Sequence, residues 1–126
     1  VDDNEVAGHQ AEALLVLGDA DAALERLQQC VRTVGTQRGE AFYRVQLVRG
    51  WASARAWREC EEALLEVPPL LAQVASGRIR RRLAEALRQI RRDRQAPGWV
   101  RDTAADVAGD LGIVTGHHYR SPGATS

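Results

Sequence analysis

Apolar residues recur every three to four positions along most of this chain, and glycines or prolines interrupt the rhythm at short intervals. That spacing gathers apolar side chains on one side of a helix. Val6, Ala7, Ala11, Leu14 and Leu15 set a first helix from Asp3 to Leu17, which Gly18 stops. Asp19 can cap the next helix by accepting a hydrogen bond from a free backbone N–H. The stripe of that second helix is Ala23, Leu24, Leu27, Cys30, Val31 and Val34, and Gly35 closes it. A third helix is predicted over 37–54, with Phe42, Val45, Val48, Trp51 and Ala52 as its apolar set. A fourth begins near Trp57 and carries Cys60, Ala63, Leu64 and Val67.

Pro68 and Pro69 are expected to break or kink the chain, because proline lacks the N–H and crowds the preceding turn. A short helical piece over 70–75 would follow. Ser76 is placed to cap a helix over 77–93, and Pro97 introduces a last one over 98–111 that Gly112 ends. Residues 113–126 are rich in Gly, Ser, Thr and His, and are expected to form a disordered tail.

Laid over one another, the first two hairpins match at an offset of 37 residues, pairing Leu14 with Trp51, Ala23 with Cys60, Leu27 with Leu64 and Cys30 with Val67. Offsets of that size belong to stacked helical hairpins. The expected architecture is an all-α solenoid of hairpins 3–35 and 37–75 with a capping helix at 76–93. Together these make one repeat domain over 1–96, with an extra helix over 97–112.

Composition agrees with helices. Apolar residues make up 44% of the 126 positions and aromatic ones only 5%, while alanine and leucine abound. The formal net charge is zero, but residues 1–75 hold seven arginines against twelve acids, and residues 76–126 ten against five. Such a dipole can orient a second copy or a partner, and is far from a nucleic-acid-binding composition. Two cysteines, Cys30 and Cys60, are too few for a disulfide framework or a zinc site, and their places on apolar stripes suit packing. No stretch reaches the ~20 apolar residues of a membrane span and no signal segment opens the chain, so a cytoplasmic protein without membrane contact is expected. The start at Val1, without methionine, fits a piece of a longer chain.

Candidate chemistry is sparse. His117 and His118 are adjacent, and a metal site would need carboxylates from afar. Glu59, Glu61, Glu62 and Glu66 line one helix as a solvated acidic patch, with Arg58 beside them. No nucleophile–base pair, phosphate-cradling glycine loop or zinc motif is present, so neither catalysis nor a cofactor is expected. Eight of residues 76–94 are arginine. On a helical wheel Ile79, Leu83, Ala86, Leu87 and Ile90 cluster within about 100°, and the arginines take the rest. The face is expected to be mostly solvated, as a terminal cap requires. Arg81, Arg88 and Arg92 are its candidates for gripping an acidic partner. Residues 101–120 carry a passing likeness to a helix-turn-helix, with His117, His118, Tyr119 and Arg120 as would-be base readers, but Gly116 and Pro122 weaken the second helix.

The segment from Glu5 to Gly35 resembles a tetratricopeptide repeat. Ala11 and Leu14 stand at its small and large positions, Gly18-Asp19 at its turn, and Ala23, Leu27 and Cys30 at its small–large–small positions. Phe42 to Pro69 repeats this less faithfully, with Val48 for the small residue and Arg55 for the turn glycine. Over about residues 5–93 the chain resembles the C-terminal repeat region of actinobacterial Cro/repressor-like helix-turn-helix transcriptional regulators. The resemblance implies a regulatory module that binds a protein, peptide or ligand, or a second copy of itself, with nucleic acid bound only through a domain absent here. A stand-alone adaptor in a protein complex, or direct DNA binding through residues 101–120, are the other readings. It further implies a concave groove lined by Glu5, Glu12, Leu15 and Val16 from the first hairpin and by Phe42, Val45, Arg49 and Ser53 from the second.

Overall fold

Two turns set 37 residues apart share one hydrogen-bond pattern. At the first, Asp19 N–H donates to Leu14 O at 2.9 Å and Gly18 N–H to Leu15 O at 3.1 Å. At the second, Ala56 N–H donates to Trp51 O at 3.0 Å and Arg55 N–H to Ala52 O at 3.1 Å. Both are Schellman closures, in which the residue past the helix end turns left-handed so that two last carbonyls find donors. Gly18 does so at φ 87° and Arg55 at φ 55°. The offset read from the sequence is thus an offset in backbone geometry.

The structure, a computed structural model, describes residues 3–113, with side chains from residue 8 onward. The described residues form six helices and no strand: α1 Asp3–Val16, α2 Ala20–Thr33, α3 Gln37–Ser53, α4 Trp57–Leu71, α5 Gly77–Arg92 and α6 Gly98–Leu111. None is long and apolar enough to cross a membrane. Their starts follow local chemistry. Asp19 Oδ1 accepts from Ala22 N–H, Thr36 Oγ1 from Gly39 N–H and Ser76 Oγ from Ile79 N–H, each satisfying a donor that the helix leaves open.

Consecutive helices pair as α1 with α2, α3 with α4 and α5 with α6, while α3 also packs on α2 and α5, and α4 on α6. Two apolar clusters result. The smaller holds Ala11, Leu24, Leu27, Cys30, Tyr43 and Leu47, and joins α1 and α2 to one side of α3. The larger runs from Ala41, Val45, Val48 and Ala52 through α4 and α5 to Val100, Ala104, Val107 and Ala108 of α6. Phe42 and Trp51, on α3, pack against both clusters. Helix α6, set apart in the sequence as an extra element, therefore completes the larger core.

Pro68 and Pro69 do not break the chain as their composition suggests. Helix α4 passes through both and ends at Leu71, and residues 72–75 form no helix of their own. The prolines fall in the last turn, where only two backbone donors are forfeited, and Pro68 O still accepts from Ala72 N–H at 3.0 Å. Val67 and Leu71, on either side, are buried and hold the turn against the core.

Candidate functional site

Helices α1, α3 and α5 share one face of the molecule. On α3 that face carries Phe42, Gln46, Arg49 and Ser53, spaced 4, 3 and 4 residues, which is one stripe of a helix. Its neighbours fix its place. Phe42 lies under Arg78 of α5, whose guanidinium carbon is 5.6 Å from the ring centroid. Arg49 faces Glu12 of α1 at 3.6 Å. Ser53 Oγ accepts from Gln89 Nε2 of α5 at 2.9 Å.

Above Arg49 and Gln46 the face is closed rather than grooved. Arg82 of α5 reaches across to Glu12 of α1 in a close ion pair. The Glu12 side chain is only 17% exposed, and it gathers two guanidinium groups, Arg49 and Arg82, without a well-aligned hydrogen bond to Oε2. Gln46 is 0% exposed, and neither its oxygen nor its nitrogen has a hydrogen-bond partner among the described residues.

Toward the N-terminal ends of α3 and α5 the face opens into a pocket of about 370 Å³. Phe42 and Tyr43 form its apolar wall, at 5.5 Å between centroids and 68° between planes. Arg38, Arg78 and His9 line its mouth, with the cap residues Thr36 and Ser76 beside them. Two helix N-termini therefore add their partial positive charge to two guanidiniums. A second depression, about 750 Å³ and wide open, lies at the far end of α5 between Arg55, Arg88, Arg92 and Arg94, with Glu85 and Asp93 among them.

The groove residues expected from sequence separate on this geometry. Glu12, Phe42, Arg49 and Ser53 do share the α1–α3–α5 face. Leu15 is half-buried, and Val16 is 77% exposed at the end of α1. Val45 does not line the face: it is fully buried with Ala41, Val48 and Ala52, one step round the helix from Gln46. The side chain of Glu5 lies outside the described residues. Arg88 and Arg92 meet at the second depression, and Arg81 stands exposed elsewhere on α5.

The arginine helix is less idle than a solvated cap. Ile79, Leu83, Ala86, Leu87 and Ile90 are all buried, as the wheel requires. But Arg78 stacks on Phe42, Arg82 spans to Glu12, and Arg80 Nη1 donates to Leu111 O at 2.7 Å, serving the end of α6. Sequence reasoning missed His9, Arg38, Tyr43, Gln46, Arg78 and Arg82. Gln46 was within reach, since its steps of four from Phe42 and three to Arg49 put it on their stripe, although Val45 bridges the same two residues.

Cys30 and Cys60 are buried and unpaired. Burial pushes both thiols up, Cys60 to about 12 with a smaller push from Glu61. Neither suits a thiolate nucleophile. The acidic patch divides: Glu66 takes Arg44 at 2.6 Å, Glu61 accepts from Thr103 Oγ1 at 2.6 Å, and Glu59 and Glu62 are exposed. Among the described residues no three His, Cys, Asp or Glu side chains stand together to hold a metal ion. Residues 114–126, with His117, His118, Tyr119 and Arg120, lie outside the described residues.

No protein-family model, curated protein or solved structure matches this chain.

Proposed function

We infer that the chain is a regulatory binding module, a tetratricopeptide-like hairpin array that takes a protein, peptide or small ligand on its α1–α3–α5 face. The carrying observation is the pocket walled by Phe42 and Tyr43 and ringed by Arg38, Arg78 and His9 on that face. It has the make-up of a binding site, apolar walls with a few convergent polar groups. The 37-residue recurrence of the Leu14–Asp19 closure at Trp51–Ala56 supports the hairpin array. In this reading α5 and α6 form the terminal unit, and the module belongs to a cytoplasmic transcriptional regulator that touches DNA through another domain.

The test is an amide-resolved NMR titration of the chain with pooled short peptides and, separately, with duplex DNA. Saturable shifts on α1, α3 and α5 with peptides support the module. Shifts confined to residues 101–120 with DNA, weakening steeply with salt, would transfer the function to the C-terminal segment. A helix-turn-helix domain in the same reading frame separates the regulator from a stand-alone adaptor.

A further inference from the structure

Helices α3 and α5 begin alike. Thr36-Gln37-Arg38 opens one and Ser76-Gly77-Arg78 the other, each with a hydroxyl cap two residues before an arginine. The two starts stand side by side. Gln37 Nε2 donates to Gln73 Oε1 at 2.9 Å, just ahead of α5, and Arg78 lies over Phe42 of α3. Both caps and both arginines line the pocket whose wall is Phe42 and Tyr43.

Among the described residues the charge there is unbalanced. No carboxylate lines the pocket, and neither Arg38 nor Arg78 has an ion pair or a side-chain hydrogen bond. By contrast Arg44, Arg49, Arg55 and Arg82 each reach an acid. The cap hydroxyls take the N–H groups of Gly39 and Ile79, so those of Arg38 and Arg78 keep no acceptor among the described residues. Each arginine thus brings open guanidinium donors to the pocket and an open backbone donor to its helix start, where anions are favoured. A lone unpaired arginine on a surface is ordinary, because water solvates it. Two from different helices, at one pocket without an acid between them, call for a shared anion. A carboxylate would neutralise only one of the two. A phosphate monoester carries nearly two negative charges above about pH 7 and presents three oxygens, enough for both guanidinium forks. Beside them, the edge-on Phe42–Tyr43 pair offers a ring an aromatic neighbour.

We propose that the pocket between the starts of α3 and α5 binds a small phosphate monoester carrying an aromatic ring, with Arg38 and Arg78 clamping the phosphate and Phe42 and Tyr43 packing the ring. A volume of about 370 Å³ matches a small molecule. The assignment rests on the ligand-sensing side of the function inferred above and deepens it.

The probe is phenyl phosphate, titrated into the 15N-labelled chain beside two controls. Benzoate keeps the ring with a single charge, and inorganic phosphate keeps the charge without a ring. Saturable shifts are expected at the Gly39, Phe42 and Ile79 amides, with phenyl phosphate bound about tenfold tighter than either control. Uridine 5′-monophosphate, titrated in parallel, separates a nucleotide from an aryl phosphate. Arg38→Gln and Arg78→Gln change exposed side chains and should melt like the parent. Each should weaken phenyl phosphate about tenfold, by loss of a charge-assisted bond. Arg88→Gln, at the second depression, should bind as the parent does. No saturable shift with either phosphate ester overturns the proposal, as does parental affinity in the Arg38 or Arg78 variant. An equal loss in Arg88→Gln overturns it too, since that marks general attraction to a basic surface. If the esters leave the pocket untouched while peptides still shift α1, α3 and α5, the binding module stands without this ligand. If neither binds, both fall.

Discussion

Arg55 Nε donates to Asp93 Oδ2 across 3.1 Å, tying the turn between α3 and α4 to the turn between α5 and α6. Arg55 does this from a left-handed backbone, φ 55°, where a residue with a Cβ is strained by roughly 1 kcal/mol. The ion pair is partly exposed and worth about 0–1 kcal/mol. Arg55→Ala should therefore destabilise, losing the pair and keeping the strain. Arg55→Gly should come out near the parent, because strain relief offsets the lost pair. Urea unfolding of the three proteins measures the difference, and glycine should exceed alanine by about 1 kcal/mol.

The same pair has a pH signature. The Gln95 N–H, 2.9 Å from Asp93 Oδ1, holds the Asp93 carboxyl below its ordinary range against a smaller opposing push from burial, and the Arg55 and Arg101 guanidiniums add to the lowering. A lowered carboxyl stabilises the fold above its unfolded-state pKa, and that contribution is lost as pH falls through the lowered value. A carboxyl 13C titration should show the Asp93 midpoint rising in Arg55→Gly yet staying below the usual aspartate range, since the Gln95 bond survives.

Cys60 should respond at the other end of the scale. Its thiol is held protonated up to about 12, so Ellman's reagent at pH 8 should leave the folded chain unmodified and react fully once urea unfolds it. The raised value also means that stability is intact below the thiol's unfolded pKa, roughly 8.5, and is lost as pH climbs from there toward about 12. Cys60→Ala should remove that alkaline slope.

Glu12 is expected to govern how firmly α1 is held. Glu12→Ala removes the partner of Arg82 and Arg49 across the α1–α3–α5 face. Loss of one member of a half-buried ionic cluster should loosen α1 by about 1–3 kcal/mol. Hydrogen exchange should accelerate in α1 and change little in α4 and α6.

Two substitutions probe the packing of the first hairpin. Leu27 is 0% exposed in the smaller cluster, and Leu27→Asp should unfold α1 and α2 by burying a charge, leaving a smaller cooperative transition from the remaining helices. Gly8 sits where α1 crosses α3, and a Cβ there would lie 2.8 Å from Tyr43 Cε1. Tyr43 is itself buried, so Gly8→Ala should lower stability despite alanine's better helix propensity of about 1 kcal/mol. Circular dichroism melts read both.

Much of the fold is legible because it follows from local rules. Gly18, Asp19, Ser76 and Gly112 mark helix ends by backbone freedom or side-chain capping, and the buried stripe of α5 is the one its wheel predicts. What escaped is what depends on neighbours. Pro68-Pro69 sit inside α4 because Val67 and Leu71 find a core that the local sequence does not show. Arg82 and Arg78 look like any solvated arginines until α1 and α3 come beside them. Val45 and Gln46 exchange roles over a single step of 100°, a finer distinction than a motif's register supplies.

The division of the interior into two apolar clusters, with Phe42 and Trp51 touching both, bears on how the chain comes apart. The first hairpin owns the smaller cluster and leans on one flank of α3, while α4, α5 and α6 close the larger one without it. Partial opening should therefore begin with α1 and α2 peeling away as a unit, leaving the remaining four helices folded. Cooperativity in this chain is graded along its length, and its N-terminal third is the low-energy route into the unfolded ensemble.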